Sequence, residues 1–168
     1  MKVSMSTDTL AQQLGEALQA KGIMMTTAES CTGGGIAAAI TDIAGSSAWF
    51  DRGFVTYSNA AKHEMLGVDM ALIERHGAVS REVAEAMVRG ACAASGCGFG
   101  VAVTGVAGPG GGSPEKPVGT VWLACYSVAQ NKLDCRLLQL DGNRAAVRRQ
   151  TVVNALEACL TLLEQNPT

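Results

Sequence analysis

The feature that most constrains the fold is an alternation of short apolar runs with helical segments through the first two thirds of the chain. Leucines at every fourth position from Leu10 to Leu18, behind a capping candidate at Ser6 or Thr7, predict a helix that ends at Gly22. The apolar run "IMMTTA" follows and predicts a buried strand. Residues 33–43 are rich in alanine and are expected to be helical, which leaves "ESCTGG" at a strand-to-helix junction.

The rest of the chain continues this alternation of strands and helices and then ends with a strand hairpin and a long helix. Helices are predicted behind caps at Ser58 and Ser80, with a third that ends at Gly77, and strands are predicted at "GFVTYS" and "GFGVAVTG". The runs "VGTVWLACYSV" and "KLDCRLLQL" predict an antiparallel hairpin, and residues 145–164 predict a long final helix. This order favours a three-layer α/β/α sandwich with a mixed sheet, formed by residues 1–168 as a single domain.

Composition excludes several classes of protein. Hydrophobic residues make up 48% of the 168 residues and charged residues 17%, which indicates a compact fold rather than a disordered chain. A net charge of −2 without a basic block argues against a large nucleic-acid surface, and no apolar run is long enough to span a membrane. Six cysteines without a CxxC pair or a secretory signal favour free thiols in the cytoplasm. A hairpin would allow Cys125 and Cys135 to face each other, but small buried apolar residues are the preferred interpretation.

Three loops beside predicted strand ends, at residues 29–34, 56–62 and 104–117, are candidates for one shared cleft. The first loop places a hydroxyl at Ser30 and a thiol at Cys31 beside glycine N–H groups, as an acyl-transfer site requires. The alternative is a helix start capped by Ser30 or Thr32. Chemistry alone leaves both interpretations open.

A serine nucleophile needs a base, and His63 and His76 are the two histidines of the chain. Both are equally typical of surface or helix-end positions. Lys62 is the best lysine candidate, because it is expected near the start of a helix, where the dipole and partial burial disfavour the ammonium form; the alternative is a solvated surface lysine. Tyr57 is placed to pass a proton or orient a substrate, or to be an ordinary half-buried tyrosine.

The loop "TGVAGPGGG" has the composition of a backbone anion cradle but matches neither a P-loop nor a dinucleotide fingerprint. The basic cluster of Arg144, Arg148 and Arg149 is large enough for a single phosphate. No group of His, Cys, Asp and Glu has metal-ligand spacing, so no metal and no cofactor are predicted.

Four long blocks carry a family resemblance: "TTAESCTGGGIAAAITDIAGSSAWFDRGFVTYSNAAK", "GAVS", "VAVTGVAGPGGGSPEKPVGTVW" and "GNRAAVRRQT". They resemble the C-terminal domain of the competence-damage-inducible CinA family, especially its stand-alone members, from about Leu10 to Leu163. The family's N-terminal domain has no counterpart here, so its functions are not carried over. The resemblance implies metal-independent hydrolysis of the carboxamide of nicotinamide mononucleotide, which gives nicotinate mononucleotide and ammonia for pyridine nucleotide recycling.

The resemblance also assigns expected roles to residues. Ser30 matches the family's serine and is expected to attack the amide, Lys62 to act as its base, and Tyr57 to assist or position. Cys31 stays open as a rival nucleophile on chemical grounds. The expected substrate-binding residues, which supply N–H groups or contact phosphate and ribose, are Thr32, Gly33, Gly34, Thr104, Gly105, Gly108 and Arg144.

Two points stay open. Asn143 stands where the family has aspartate, a departure that concerns only the fine detail of that loop. A non-catalytic nucleotide-binding or regulatory domain is the competing interpretation; it would keep the glycine loops but need neither Lys62 nor Tyr57. A homodimer is expected by analogy with the family.

Overall fold

The computed structural model describes residues 5–165 and contains one five-stranded mixed sheet between two layers of helices. The strands are β1 (Met25–Glu29), β2 (Phe50–Val55), β3 (Phe99–Gly105), β4 (Thr120–Ser127) and β5 (Lys132–Gln139). The helices are α1 (Thr7–Lys21), α2 (Gly35–Thr41), α3 (Asn59–Leu66), α4 (Met70–His76), α5 (Arg81–Ser95) and α6 (Arg144–Glu164), with a short 3₁₀ turn at Ser46–Ala48.

The strand order is β2-β1-β3-β4-β5, with β1, β2 and β3 parallel and with β4 and β5 antiparallel to their neighbours. Helices α1, α2 and α6 pack on one face of the sheet, and α3, α4 and α5 pack on the other. All five residues of β1 are buried, as expected for a parallel strand covered on both faces. The predicted α/β/α sandwich with a mixed sheet is confirmed.

Two helix and strand boundaries in the structure differ from those predicted from the sequence, and the backbone conformation explains both differences. Helix α2 begins at Gly35 rather than at residue 33, because Gly33 and Gly34 have φ of 60° and 101°, which a right-handed helix does not allow. Strand β2 ends at Val55, because Ser58 leaves the sheet to cap α3 through the N–H of Ala61.

A close approach of two helices also fixes the position of α3. At Gly90 in α5, a Cβ atom would lie 2.0 Å from the carbonyl oxygen of Leu66, the last residue of α3. Only glycine admits this contact without movement of one helix. Gly90 therefore lets α3 lie directly against α5.

Cys125 and Cys135 do not face each other across the hairpin, which excludes the less favoured of the two interpretations. Cys125 pairs with Asp134 in the ladder and Cys135 pairs with Ala124, so the two thiols point to opposite faces of the sheet. The neighbour of Cys125 is Cys159 in α6, with 3.7 Å between the sulfur atoms. All six cysteines are free.

Candidate active site

The candidate site lies at the carboxyl ends of the three parallel strands. Residues that follow β1, β2 and β3 line one cavity of about 290 Å³, as the sequence predicts for these loops. The loop between α4 and α5 contributes Ala78 and Val79, and the start of α6 contributes Arg144. Because parallel strands end at the same edge of a sheet, loops distant in sequence meet here.

Ser30 is the first residue after β1, and its N–H still donates to Val103 of β3 at 3.1 Å. The side chain is 8% exposed, and its hydroxyl lines the cavity. A tight turn follows immediately, in which the N–H of Gly33 donates to the carbonyl of Ser30 at 3.1 Å. The sheet on one side and the turn on the other thus hold the hydroxyl in place.

Lys62 is fully buried, with 1% of its surface exposed. Its Nζ lies 3.0 Å from the Ser30 hydroxyl oxygen, 2.8 Å from the carbonyl oxygen of Thr56 and 3.2 Å from that of Tyr57. Within residues 5–165 no carboxylate forms an ion pair with it. Burial disfavours the ammonium form, and the pKa of Lys62 is therefore lowered from its ordinary value.

Cys31 borders the same cavity, but its thiol is held in the protonated form. Burial raises the pKa of its thiol to about 11, and the carboxylate of Glu29 acts in the same direction. At neutral pH only about one molecule in 10⁴ would then carry the thiolate that nucleophilic attack needs. Burial outweighs the causes that lower the pKa of the thiol, which are a backbone hydrogen bond and the charges of Arg148 and Lys62.

Tyr57 and Arg144 meet at the mouth of the cavity. Tyr57 is 62% exposed, and its hydroxyl accepts a hydrogen bond from Nη2 of Arg144 at 3.1 Å. Nη1 of the same guanidinium donates to the carbonyl of Gly108 at 2.8 Å. Arg144 thereby ties the β2–α3 loop to the glycine-rich loop after β3.

A comparison with known protein families identifies the chain. The model of the CinA C-terminal domain matches residues 7–163. The chain belongs to this family. The resemblance predicted from the sequence is thus confirmed.

Similar members of the CinA family include two curated proteins and a solved structure. The protein from Pseudomonas putida named nicotinamide-nucleotide amidohydrolase PncC is 62% identical over 92% of this chain and 95% of its own. The PncC of the same name from Escherichia coli K12 is 52% identical over 94% of both chains. The crystal structure of competence/damage inducible protein CihA from Agrobacterium tumefaciens superposes with a TM-score of 0.91, at 47% identity, over 98% of this chain and 100% of that one.

The cavity in this CinA domain brings together most of the residues that sequence reasoning selected. Its lining includes the predicted residues Ser30, Lys62, Tyr57, Thr104, Gly105, Gly108 and Arg144. Thr32, Gly33 and Gly34 lie outside this lining. The hydroxyl of Thr32 donates to Glu29 and the N–H of Gly33 donates to Ser30, so these groups shape the turn instead of facing the cavity.

The candidate bases other than Lys62 lie elsewhere. His63 contacts the carbonyl of Val68 at 2.8 Å, and His76 lies 3.7 Å from a Glu82 oxygen. Neither histidine lines the cavity. Residues 5–165 hold no cluster of three or more potential metal ligands, and no helix among them is long and apolar enough to cross a membrane.

Sequence reasoning missed Glu29. Its buried carboxylate accepts hydrogen bonds from the Thr32 hydroxyl at 2.5 Å, from the N–H of Ile36 at 2.8 Å and from that of Ala37 at 3.0 Å. It thus joins the end of β1 to the start of α2 and closes the turn that carries Ser30. An acid directly before a turn and a helix start is a signal for such capping.

Sequence reasoning named Arg148 only as a member of a basic cluster that could hold a phosphate, and it missed Asn59. Arg148 in α6 donates from Nε to the carbonyl of Cys31 at 3.2 Å and from Nη2 to that of Thr32 at 3.1 Å. Its position four residues after Arg144, on the same helix face, was the available signal. Asn59, the first residue of α3, lines the cavity beside Lys62.

Proposed function

We propose that the chain hydrolyses the carboxamide of nicotinamide mononucleotide to nicotinate mononucleotide and ammonia. The proposal is supported by relatives of that activity name, which match more than nine tenths of this chain. Its physical support is the contact of 3.0 Å between a buried lysine amine and a serine hydroxyl inside a cavity. A purely regulatory domain would need no such pair.

The contact between Lys62 and Ser30 carries the proposal, because burial without a described carboxylate partner favours the neutral amine. A neutral amine has two N–H bonds and one lone pair. Nζ is placed to donate to the carbonyls of Thr56 and Tyr57 and to the Ser30 oxygen. Once the amine has lost a proton, the two carbonyls can accept both remaining hydrogens, and the lone pair can then accept the hydroxyl proton of Ser30. The lowered pKa of Lys62 raises the fraction of the chain in this state.

In the proposed reaction, the Ser30 oxygen attacks the carboxamide carbon while its proton passes to Lys62. The tetrahedral intermediate collapses, the C–N bond breaks, and Lys62 returns the proton to the departing ammonia. A water molecule then attacks the acyl ester, again with Lys62 as the base, and releases the carboxylic acid and free Ser30. No redox step or second substrate other than water is needed.

The oxyanion would be stabilised by the backbone at the end of β3. The carbonyl of Val103 accepts from Ser30 on the β1 side, whereas the N–H of Val106 donates to Thr120 on the β4 side. Because successive strand residues point their backbone groups to opposite sides, the N–H of Gly105 points toward β1, where Ser30 lies. Gly105 also lines the cavity, which makes it the preferred donor.

The substrate phosphate is assigned to Arg144 and the glycine-rich loop. Within the described chain, the N–H groups of Gly110 and Gly111 make no hydrogen bond, and both residues line the cavity with Arg144. None of the lining residues within the described part of the chain is acidic. A guanidinium and free backbone N–H groups at the mouth would bind a dianion while the carboxamide reaches Ser30.

The test is ammonia release from nicotinamide mononucleotide by the purified protein, with a chelator present. We expect turnover that the chelator leaves unchanged, and an increased KM in Arg144→Gln because the phosphate loses its charged partner. Release no greater than that of a heat-killed sample would refute the amidohydrolase. Loss of activity with chelator would refute the metal-independent mechanism. Dimerisation, a cytoplasmic location and a role in nucleotide recycling stay predictions.

A further inference from the structure

A second, larger cavity lies between α2 and α6, on the other side of the Ser30 turn. Its volume is about 680 Å³, and the floor is formed by small and branched apolar side chains that include Ala38, Ala39, Val152 and Val153. Thr32 borders this cavity, which we call the α2–α6 groove. Concave apolar walls with a few polar groups are the usual form of a small-molecule site.

Two consecutive arginines give the α2–α6 groove its charge. Arg148 and Arg149 both line it, and neither forms an ion pair with a described residue. Arg148 uses Nε and Nη2 for the two turn carbonyls and keeps further N–H donors. Arg149 is exposed and makes no hydrogen bond to any of residues 5–165. Guanidinium groups bind carboxylate and phosphate in a planar, two-pronged geometry.

The opposite end of the groove carries the other sign of charge. Asp42, which follows the last residue of α2, is the only acidic side chain among the described residues that line the groove. Arg148 is attached near the start of α2 through Thr32, so about 10 Å of helix separates the two ends. The charges therefore fix one orientation, with the anionic group of a ligand at the arginines and its apolar body on the alanines and valines.

We propose that the α2–α6 groove binds a small organic anion with an apolar body, at a site distinct from the Ser30 cavity. Charge, concavity and the apolar floor carry this assignment. Arg148 connects the two sites, because the same guanidinium that would contact the anion also holds the carbonyls of Cys31 and Thr32. An anion bound to the remaining N–H groups of Arg148 pulls the guanidinium away from these carbonyls and thereby loosens the turn that positions Ser30.

Phenyl phosphate is a suitable probe, since it combines a dianion with one apolar ring. Its binding is measured by isothermal titration calorimetry on the wild-type protein, Arg149→Gln and Arg144→Gln. We expect Arg149→Gln to weaken binding at the groove at least about tenfold, the loss of one charged contact, whereas Arg144→Gln leaves that binding unchanged. Arg75→Gln, an exposed arginine of α4 outside the groove, is the matched control.

Three results would overturn the site. One is the absence of binding by the wild type up to about 10 mM phenyl phosphate. Another is binding that Arg144→Gln abolishes and Arg149→Gln leaves intact, which would place the anion in the Ser30 cavity. The third result combines two observations: the protein does not bind phenyl phosphate, and Arg149→Gln has a lower molecular mass in solution than the wild type. That result would show that a second copy of the chain covers the groove.

A kinetic measurement tests the connection through Arg148 and rests on the proposed function. At saturating nicotinamide mononucleotide, phenyl phosphate is expected to lower kcat at least about twofold in the wild type and to have no effect on Arg149→Gln. An unchanged wild-type kcat despite calorimetric binding would refute the connection but not the site. If the protein has no amidase activity, the calorimetry still decides whether the groove binds anions, so the two failures are distinguishable.

Discussion

Glu29→Gln tests whether the buried carboxylate is what closes the turn that carries Ser30. One carboxylate oxygen accepts from Thr32 and Ile36, and the other accepts from Ala37. Glutamine has a single carbonyl oxygen, so its NH₂ group must face at least one of these donors. The fewest hydrogen bonds are lost when the NH₂ group of the substituted glutamine replaces the oxygen that accepts from Ala37, because only the N–H of Ala37 is then left unpaired.

The magnitude follows from two losses. A charge-assisted hydrogen bond and its unpaired partner cost about 1–3 kcal/mol, and removal of a negative charge from a helix start costs about 0.3–1 kcal/mol more. We therefore expect Glu29→Gln to lower the free energy of unfolding by about 2–3 kcal/mol. Urea denaturation followed by circular dichroism measures this loss.

Glu16→Gln provides the matched control, because Glu16 is an exposed residue of α1. Its effect should stay within about 0.5 kcal/mol. If Glu29→Gln costs no more than Glu16→Gln, the three hydrogen bonds do not hold the turn, and the argument that Glu29 positions Ser30 is refuted.

Two further predictions concern α3. Burial lowers the pKa of Lys62 in the native chain, so between that lowered value and the ordinary 10.5 the unfolded chain binds more protons than the native chain. The contribution of Lys62 to the free energy of unfolding of the wild type should therefore rise with pH across this window. In urea unfolding, the stability of Lys62→Met should lack that rise, and the kcat/KM of the wild type should increase with pH through the same lowered pKa. If the free energy of unfolding has the same pH dependence in the wild type and Lys62→Met, the amine is not buried without a compensating charge. Gly90→Ala should lose about 2 kcal/mol or more in the same assay, since its Cβ would meet the Leu66 oxygen at 2.0 Å, and it should also lower kcat because α3 carries Lys62. An unchanged or increased stability would show that the two helices separate freely.

The fold was predictable because its signals are local. The four-residue leucine spacing of α1 and the capping serines Ser58 and Ser80 mark helix starts that the structure reproduces. The hairpin of β4 and β5 was predicted from two strand-like runs with a short connection. Its register was not, because the pairing of Cys125 with Asp134 depends on the conformation of the turn.

The candidate site was only partly predictable. Spacing alone ranked Lys62 among several bases, and the family resemblance selected it. Its contact with Ser30 joins residues 32 positions apart and depends on the parallel register of β1 and β2. The contact of Arg148 with Cys31 spans 117 positions and depends on how α6 packs across the sheet. Neither contact could be predicted from the spacing of residues in the sequence.

The glycines after Cys31 show a different limit. The family resemblance implied that Gly33 and Gly34 supply N–H groups to a ligand. Neither residue lines the cavity, whereas Gly105 and Gly108 do; Gly33 and Gly34 have positive φ angles in the turn that leads into α2. Composition identifies glycine-rich segments, but the backbone direction decides which of them meets a substrate.

The most direct test compares Ser30→Ala with Cys31→Ala in turnover of nicotinamide mononucleotide, with thermal unfolding to verify that both fold. The Ser30–Lys62 pair predicts that Ser30→Ala lowers kcat at least about a thousandfold, whereas Cys31→Ala retains most of it, because its thiol is protonated at neutral pH. Full activity of Ser30→Ala together with an inactive Cys31→Ala would assign the nucleophile to Cys31 and contradict the account.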